Sequence, residues 1–186
     1  IFKYNLIRTR TIKEDYKKTA GMVTADGAYG NEENYAYCEK ENIIANIKPV
    51  SLTQEKKAEA GKTPYSKYNF KYEEEKDIMI CPAGKELKFV EEKKEELEDY
   101  IRTIRTYQCA ECKNCEHKTE CVKSGENRTV QRSAELDRLR EKAKIQIKSE
   151  DGRKALRMRG FNIETPFGAM KHNHGFTRFV LRGSAK

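Results

Sequence analysis

Met22-Val23-Thr24-Ala25-Asp26-Gly27 runs from a short apolar, β-branched stretch straight into a carboxylate and a glycine. β-branched side chains suit a pleated, buried strand, and Asp-Gly stops such a strand in a turn. The stretch therefore predicts a buried strand with Asp26 at its C-terminal lip. Working outward, Asn31-Glu32-Glu33-Asn34-Tyr35-Ala36-Tyr37-Cys38 suits a helix. Asn31 can cap its first free N–H groups, and Glu32 and Glu33 match the positive end of its dipole. Ile43-Ile44-Ala45-Asn46-Ile47 predicts the next strand, stopped by Pro49. Strand, helix, strand in close succession is an α/β unit. Such sheets expose functional groups at the carboxyl ends of their strands, where Asp26 stands.

Farther along, residues 51–76 are dominated by Lys, Glu and Ser, with Tyr65, Tyr68, Phe70 and Tyr72 interleaved. They read as an extended loop with a weak hairpin. Ile78-Met79-Ile80-Cys81 predicts a strand turned by Pro82-Ala83-Gly84, and the Glu/Lys-rich residues 91–100 a solvated face or loop. From Ala134 to Met170 the pattern is helical. Leu136, Leu139, Ala143, Ile145 and Ile147 form one apolar stripe; Leu156, Ile163, Phe167 and Met170 form another. Gly160 and Pro166 interrupt the second, which predicts a break or restart near Phe161. No internal repeat is visible.

The chain has 186 residues, enough for one domain or one domain with a small insert. It is 37% charged and 37% hydrophobic, lacks Trp, and has a mean hydropathy of -0.94. One modest core is all that it can bury. A net charge of +8 suits a polyanion, and nucleic acid is the commonest one, although a basic protein without such a partner carries the same signature. No apolar run is long enough for a membrane helix and no signal peptide is visible, so the cytoplasm is the expected compartment. Six cysteines there point to metal before disulfides.

Cys109-x2-Cys112-x2-Cys115-x5-Cys121 places four soft ligands close together. Thiolates two residues apart can turn back on one cation, and four close a tetrahedral zinc site. Lys113 and Lys118 favour the thiolate form. His117 is an alternative ligand, and Cys81 another, brought in from its strand. An iron–sulfur cluster is the rival metal group, but the usual ferredoxin run ends in Cys-Pro at a different spacing. Free loop thiols are the bland alternative. A zinc here is structural, since four cysteines leave no open position.

Two acids stand out. Asp26 is one. Glu164 is the other, in a tail (residues 151–186) where Asp151 and Glu164 face eight Lys and Arg residues. On pattern alone a surface salt bridge from Glu164 to Arg159 or Lys171 accounts for it.

Resemblance reverses that weighting. Ala25-Asp26-Gly27-Ala28-Tyr29-Gly30-Asn31-Glu32-Glu33-Asn34-Tyr35 resembles the segment around the second catalytic Asp of bacterial insertion-sequence transposases of the DDE type. Ile163-Glu164-Thr165-Pro166-Phe167-Gly168-Ala169-Met170-Lys171-His172-Asn173-His174-Gly175-Phe176-Thr177-Arg178-Phe179, closing on Leu181-Arg182-Gly183, resembles the segment around their third acid. Members also carry a cysteine-rich insert between the two acids, after a Cys-Pro turn like Cys81-Pro82. The likeness is collinear over nearly the whole chain.

The resemblance implies an α/β fold: a partial RNase H-like mixed sheet with flanking helices, and an inserted, small, zinc-binding and mostly irregular subdomain. Residues 1–50 then begin the catalytic core, 51–130 form the insert with the four-cysteine knuckle, and 131–186 supply the core's C-terminal helices. Asp26 follows a central strand. Glu164, 138 residues later, lies on a late helix that packs Ile163 and Phe167 on the sheet beside it. With an earlier Asp these acids hold two Mg²⁺ ions, hard cations that need oxygen ligands. Arg159, Lys171, Arg178 and Arg182 are the expected nucleic-acid contacts, with His172 and His174 as lesser candidates. The partner is double-stranded DNA, at transposon ends and target, and a homodimer of the full-length protein is compatible.

Some family features have no counterpart. Only Glu14 and Asp15 precede Asp26, in a polar helical stretch that reads as a solvated face. Lys171 occupies the position of a family Lys seven residues past the Glu, but the family's Tyr position holds Arg157 and its Arg position falls on Gly160, next to Arg159. The family also continues past Gly183 into another helix. The expected function is thus that of a transposase fragment, from a parent that cleaves DNA and transfers strands, inactive alone for want of the first Asp. The alternative is a zinc-stabilised DNA-binding module without catalysis. A zinc-ribbon scaffold for a protein partner explains the cysteines but not the Asp and Glu motifs.

Overall fold

A computed structural model describes residues 20–97 and 100–173. Strand β1 (Met22–Ala25) forms where expected and pairs in parallel with β2 (Ile44–Ile47), Met22 opposite Ile44 and Ala25 opposite Ile47. A parallel pair requires a crossover. Helix α1 (Glu32–Lys40) supplies it, started by Asn31, whose Oδ1 accepts from Asn34 N at 2.8 Å. Tyr35 and Ile47 are buried against Leu139 and Ala143 of α4 (Ala134–Lys148).

Helix α4 shows Leu139, Ala143 and Ile147 to the core, as its stripe predicts. Ile145 is 71% exposed and does not belong to that stripe. Residues two apart on a 3.6-residue turn point in opposing directions, so Ile145 and Ile147 cannot share a face. At Ser149 the backbone becomes extended and α5 (Glu150–Arg159) starts afresh, capped by Ser149 Oγ, which accepts from Gly152 N at 3.0 Å. The break expected near Phe161 does not occur. A π-helical turn, Gly160–Glu164, carries the chain continuously into α6 (Thr165–Asn173). A widened turn just before Pro166 is where a helix can carry a residue that lacks an N–H and crowds the preceding turn.

Residues 51–76 are more ordered than a loop. Ser51–Glu59 form helix α2, which buries only Ser51 and Ala58, so its sequence shows no apolar period. No hairpin lies wholly within these residues: β3 (Lys71–Glu73) pairs with β4 (Ile78–Ile80), the strand expected separately after them. Asp77, in the turn between them, accepts from Tyr107 Oη at 2.7 Å, Tyr72 Oη at 2.8 Å and the Arg105 guanidinium at 2.7 and 2.9 Å. The two phenols, then Arg105, hold its carboxyl below the usual carboxylate range.

The stretch expected to be a mostly irregular insert is largely regular. β3, β4, β5 (Glu86–Glu96), β6 (Ile101–Cys109) and β7 (Thr129–Arg132) form one antiparallel five-stranded sheet in that order. Residues 91–96, expected as solvated face or loop, are the outer half of an 11-residue strand. They are solvated but paired, with Glu92 opposite Arg105 and Glu95 opposite Arg102. Opposite charges across a ladder stabilise it without an apolar face. The inner half of the sheet buries Phe70, Met79, Leu87, Tyr107 and Val130 together with Cys109, Cys112 and Cys121. A parallel pair flanked by helices, carrying this sheet, is an α/β architecture compatible with the RNase H-like expectation. Among the described residues no helix is long and apolar enough to cross a membrane.

Candidate active site and cysteine cluster

Asp26 stands at the carboxyl lip of β1, as its turn predicts, with its side chain 69% exposed. The turn behind it is fixed: Tyr29 N donates to Asp26 O at 2.9 Å, and Asn34 Nδ2 donates to Tyr29 O at 2.9 Å. Tyr35, 2% exposed, donates from Oη to Ile47 O at 3.2 Å, and burial pushes its phenol up to about 12. Strand, turn and helix are thereby bound into one unit that presents the carboxylate to solvent.

Helix α5 reaches this carboxylate. Arg159, its last residue, sets its guanidinium 4.0 Å from Asp26 Oδ2. What aims the helix is Asn46, a polar residue in the otherwise apolar β2 and fully buried. Its Nδ2 donates to Thr24 Oγ1 at 3.1 Å and to Gly152 O at 3.0 Å, tying β1, β2 and α5 together. Sequence reasoning passed over Asn46 and Gly152, and the signal that marks the first is an amide amid isoleucines.

The backbone of Glu164 ends the π turn that follows Arg159, and that of Lys171 lies in α6. The side chains of Ile163, Glu164, Phe167 and Lys171 lie outside the described residues, as do Glu14, Asp15, His174, Arg178 and Arg182 altogether. His172 is exposed on α6. A cleft of about 510 Å³ lies elsewhere, lined among others by Glu32, Tyr68, Tyr72, Arg102, Arg132 and Arg140; neither Asp26 nor any cysteine borders it.

Cys81, Cys109, Cys112, Cys115 and Cys121 all border one small cavity of about 20 Å³. All five are free thiols. Burial pushes Cys109 up to about 11 and raises Cys121 as well. His117 is exposed, its ring stacked on Tyr65 with centroids 5.1 Å apart. Among the described residues no three His, Cys, Asp or Glu side chains already stand at the spacing that holds a metal ion.

Comparison with known proteins finds no match among curated proteins and none among solved structures. Among protein families, residues 80–186 match the one described as "Transposase DDE domain". The matched stretch takes in strands β5, β6 and β7, all five clustered cysteines and Glu164, while Asp26 and β3 lie N-terminal to it. It covers more than half of the sequence, and the chain therefore belongs to the transposase DDE domain family.

Proposed function

We propose that Asp26 and Glu164 are two of the three catalytic carboxylates of a transposase that cleaves DNA at transposon ends and joins them to a target. The observation that carries this reading is Arg159 at 4.0 Å from Asp26: it brings the helical run leading into Glu164 to the lip of β1. Asp26 suits a divalent metal, since it is an exposed carboxylate on a fixed turn, but one described carboxylate does not complete a site. Paired Mg²⁺ ions, when bound, activate the attacking oxygen and stabilise the leaving one. The chain's own part is to hold Asp26 and Glu164 on separate elements and to bring cations to the phosphates. Arg159 suits phosphate through its planar fork of donors, and Lys171, Arg178 and Arg182 are the further cations of the same stretch of sequence. The insert's cysteines hold a structural zinc, which fastens the five-stranded sheet.

The test is a Mg²⁺-dependent cleavage and strand-transfer assay on this chain and on a version extended N-terminally to include the family's first Asp. This chain should read blank, because two carboxylates do not fix two ions as three do. The extended version should cut, and Asp26→Asn or Glu164→Gln should silence it while leaving DNA binding intact. An extended version that binds DNA and never cuts it is instead a zinc-stabilised DNA-binding module.

A further inference from the structure

We infer that the cleft between the five-stranded sheet and helices α1, α2 and α4 holds one unpaired nucleotide of a DNA strand, its phosphate on Lys67 and Arg140 and the amino group of its base on Glu32. The site rests on DNA being the partner and is independent of the roles given to Asp26 and Glu164.

The cleft encloses about 510 Å³. That lies within the roughly 300–1,000 Å³ of small-ligand pockets and is too small to admit a duplex. Its charges sort into those already paired and those left over. Glu55 takes Lys144 at 2.7 Å, Asp137 takes Arg132 at 3.0 Å, and Arg102 is bound to Glu95. Arg140 forms no hydrogen bond or ion pair with a described residue. Neither does Lys67, whose ammonium stands 5.4 Å from the Tyr68 ring centroid. Burial, then the charge of Arg140, lowers the Lys67 ammonium below its ordinary value, so the two cations are close enough to repel. Burial raises the Tyr68 phenol and Arg140 opposes it, which puts the ring on the same wall as the cations. A phosphate between Lys67 and Arg140 relieves their repulsion, and a guanidinium fork suits its oxygens.

Glu32 speaks for a base beside that phosphate. Of the acids left over, Glu59 is exposed at the end of α2, whereas Glu32 is 2% exposed. Its Oε1 accepts from Tyr100 Oη at 2.8 Å, and its Oε2 is buried with no partner. A buried carboxylate oxygen without a donor is costly. The exocyclic amino group of cytosine, adenine or guanine supplies one, and thymine has none. Every base also has a face to lay on an aromatic ring. Phe70 is buried, and Tyr72 is taken up between the Arg132 guanidinium, 4.0 Å from its centroid, and the Tyr107 ring at 6.0 Å. Tyr68, half-buried, is the ring left for stacking.

The whole chain is titrated at one fixed, low salt concentration against fluorescent duplexes of a single sequence that are blunt, end in a short cytosine overhang, or end in a thymine overhang of the same length. Free dCMP serves as competitor. The cytosine overhang should tighten binding about fivefold or more over the blunt duplex, on the order of one stacked base, and the thymine overhang should gain less. Arg140→Gln and Lys67→Gln should each bring the cytosine overhang back toward the blunt value. Equal affinity for blunt and overhanging duplexes overturns the site, as does an overhang advantage that survives both substitutions. Equal gains from cytosine and thymine overturn the part given to Glu32. Binding of dCMP without any overhang advantage makes the occupant a free mononucleotide and overturns the strand. A chain that binds none of the duplexes removes DNA as the partner, and the site with it. Lys67 is exposed, so Lys67→Gln carries the comparison if Arg140→Gln fails to fold.

Discussion

Replacing Gly152 with Ala tests the packing that delivers α5 to Asp26. A Cβ added at Gly152 would stand 2.0 Å from the Gln146 carbonyl oxygen and 3.0 Å from Asn46 Oδ1. Carbon and oxygen settle at about 3.3 Å or more, so the helix must retreat by roughly an ångström. Overpacking of this kind costs about 1–3 kcal/mol. The retreat also strains the buried bond from Asn46 Nδ2 to Gly152 O, worth about 1 kcal/mol and more if the amide is left unpaired. Against these stands about 1 kcal/mol gained because Ala is the better helix former. The net loss is about 1–3 kcal/mol, or a Tm drop of roughly 2–12 °C for a chain of this size. Thermal unfolding followed by circular dichroism reads it directly. Gly160→Ala is the control, since nothing lies within 4 Å of a Cβ there, and its Tm should hold or rise. If Gly152→Ala melts together with Gly160→Ala, α5 does not rest on β2 as described, and the approach of Arg159 to Asp26 fails with it.

Three further outcomes follow from particular residues. Bonds to Arg138, then Lys142, hold the Glu39 carboxyl at about 2, below its unfolded value. The stability from this pair is present above pH about 4.3 and is lost as pH falls toward 2; Glu39→Gln should flatten the acid limb of Tm against pH by under about 1 kcal/mol, because the pair is largely exposed. Cys38 is 1% exposed and pushed up to about 11 by burial, so the native protein should resist alkylation at this thiol at neutral pH while the denatured chain reacts; fast native labelling would show that α1 is not packed as described. Binding to duplex DNA should weaken steeply with salt, and Lys171→Ala or Arg178→Ala should each lower the log–log slope by roughly 0.9; an unchanged slope removes that residue from the phosphate contacts.

The local signals were legible in the sequence. Asp-Gly after a β-branched run put Asp26 at a strand's lip, Asn31 with two acids began a helix, and Leu139, Ala143 and Ile147 marked a core face. Each rests on chemistry confined to a few neighbouring residues, which a sequence states outright. The density of cysteines likewise announced a cluster. Tertiary structure decided the rest. The strand through residues 91–96 is held by charges on the opposing strand, so it carries no apolar period of its own. Helix α2 buries too little to show one. Cys81 comes to border the same cavity as the run from Cys109 to Cys121 because β4, β5 and β6 lie side by side. Asn46 and Gly152 are 106 residues apart and joined by one hydrogen bond. Pairings of this kind depend on which distant segments share a register, and that is fixed only when the whole chain buries its two cores at once.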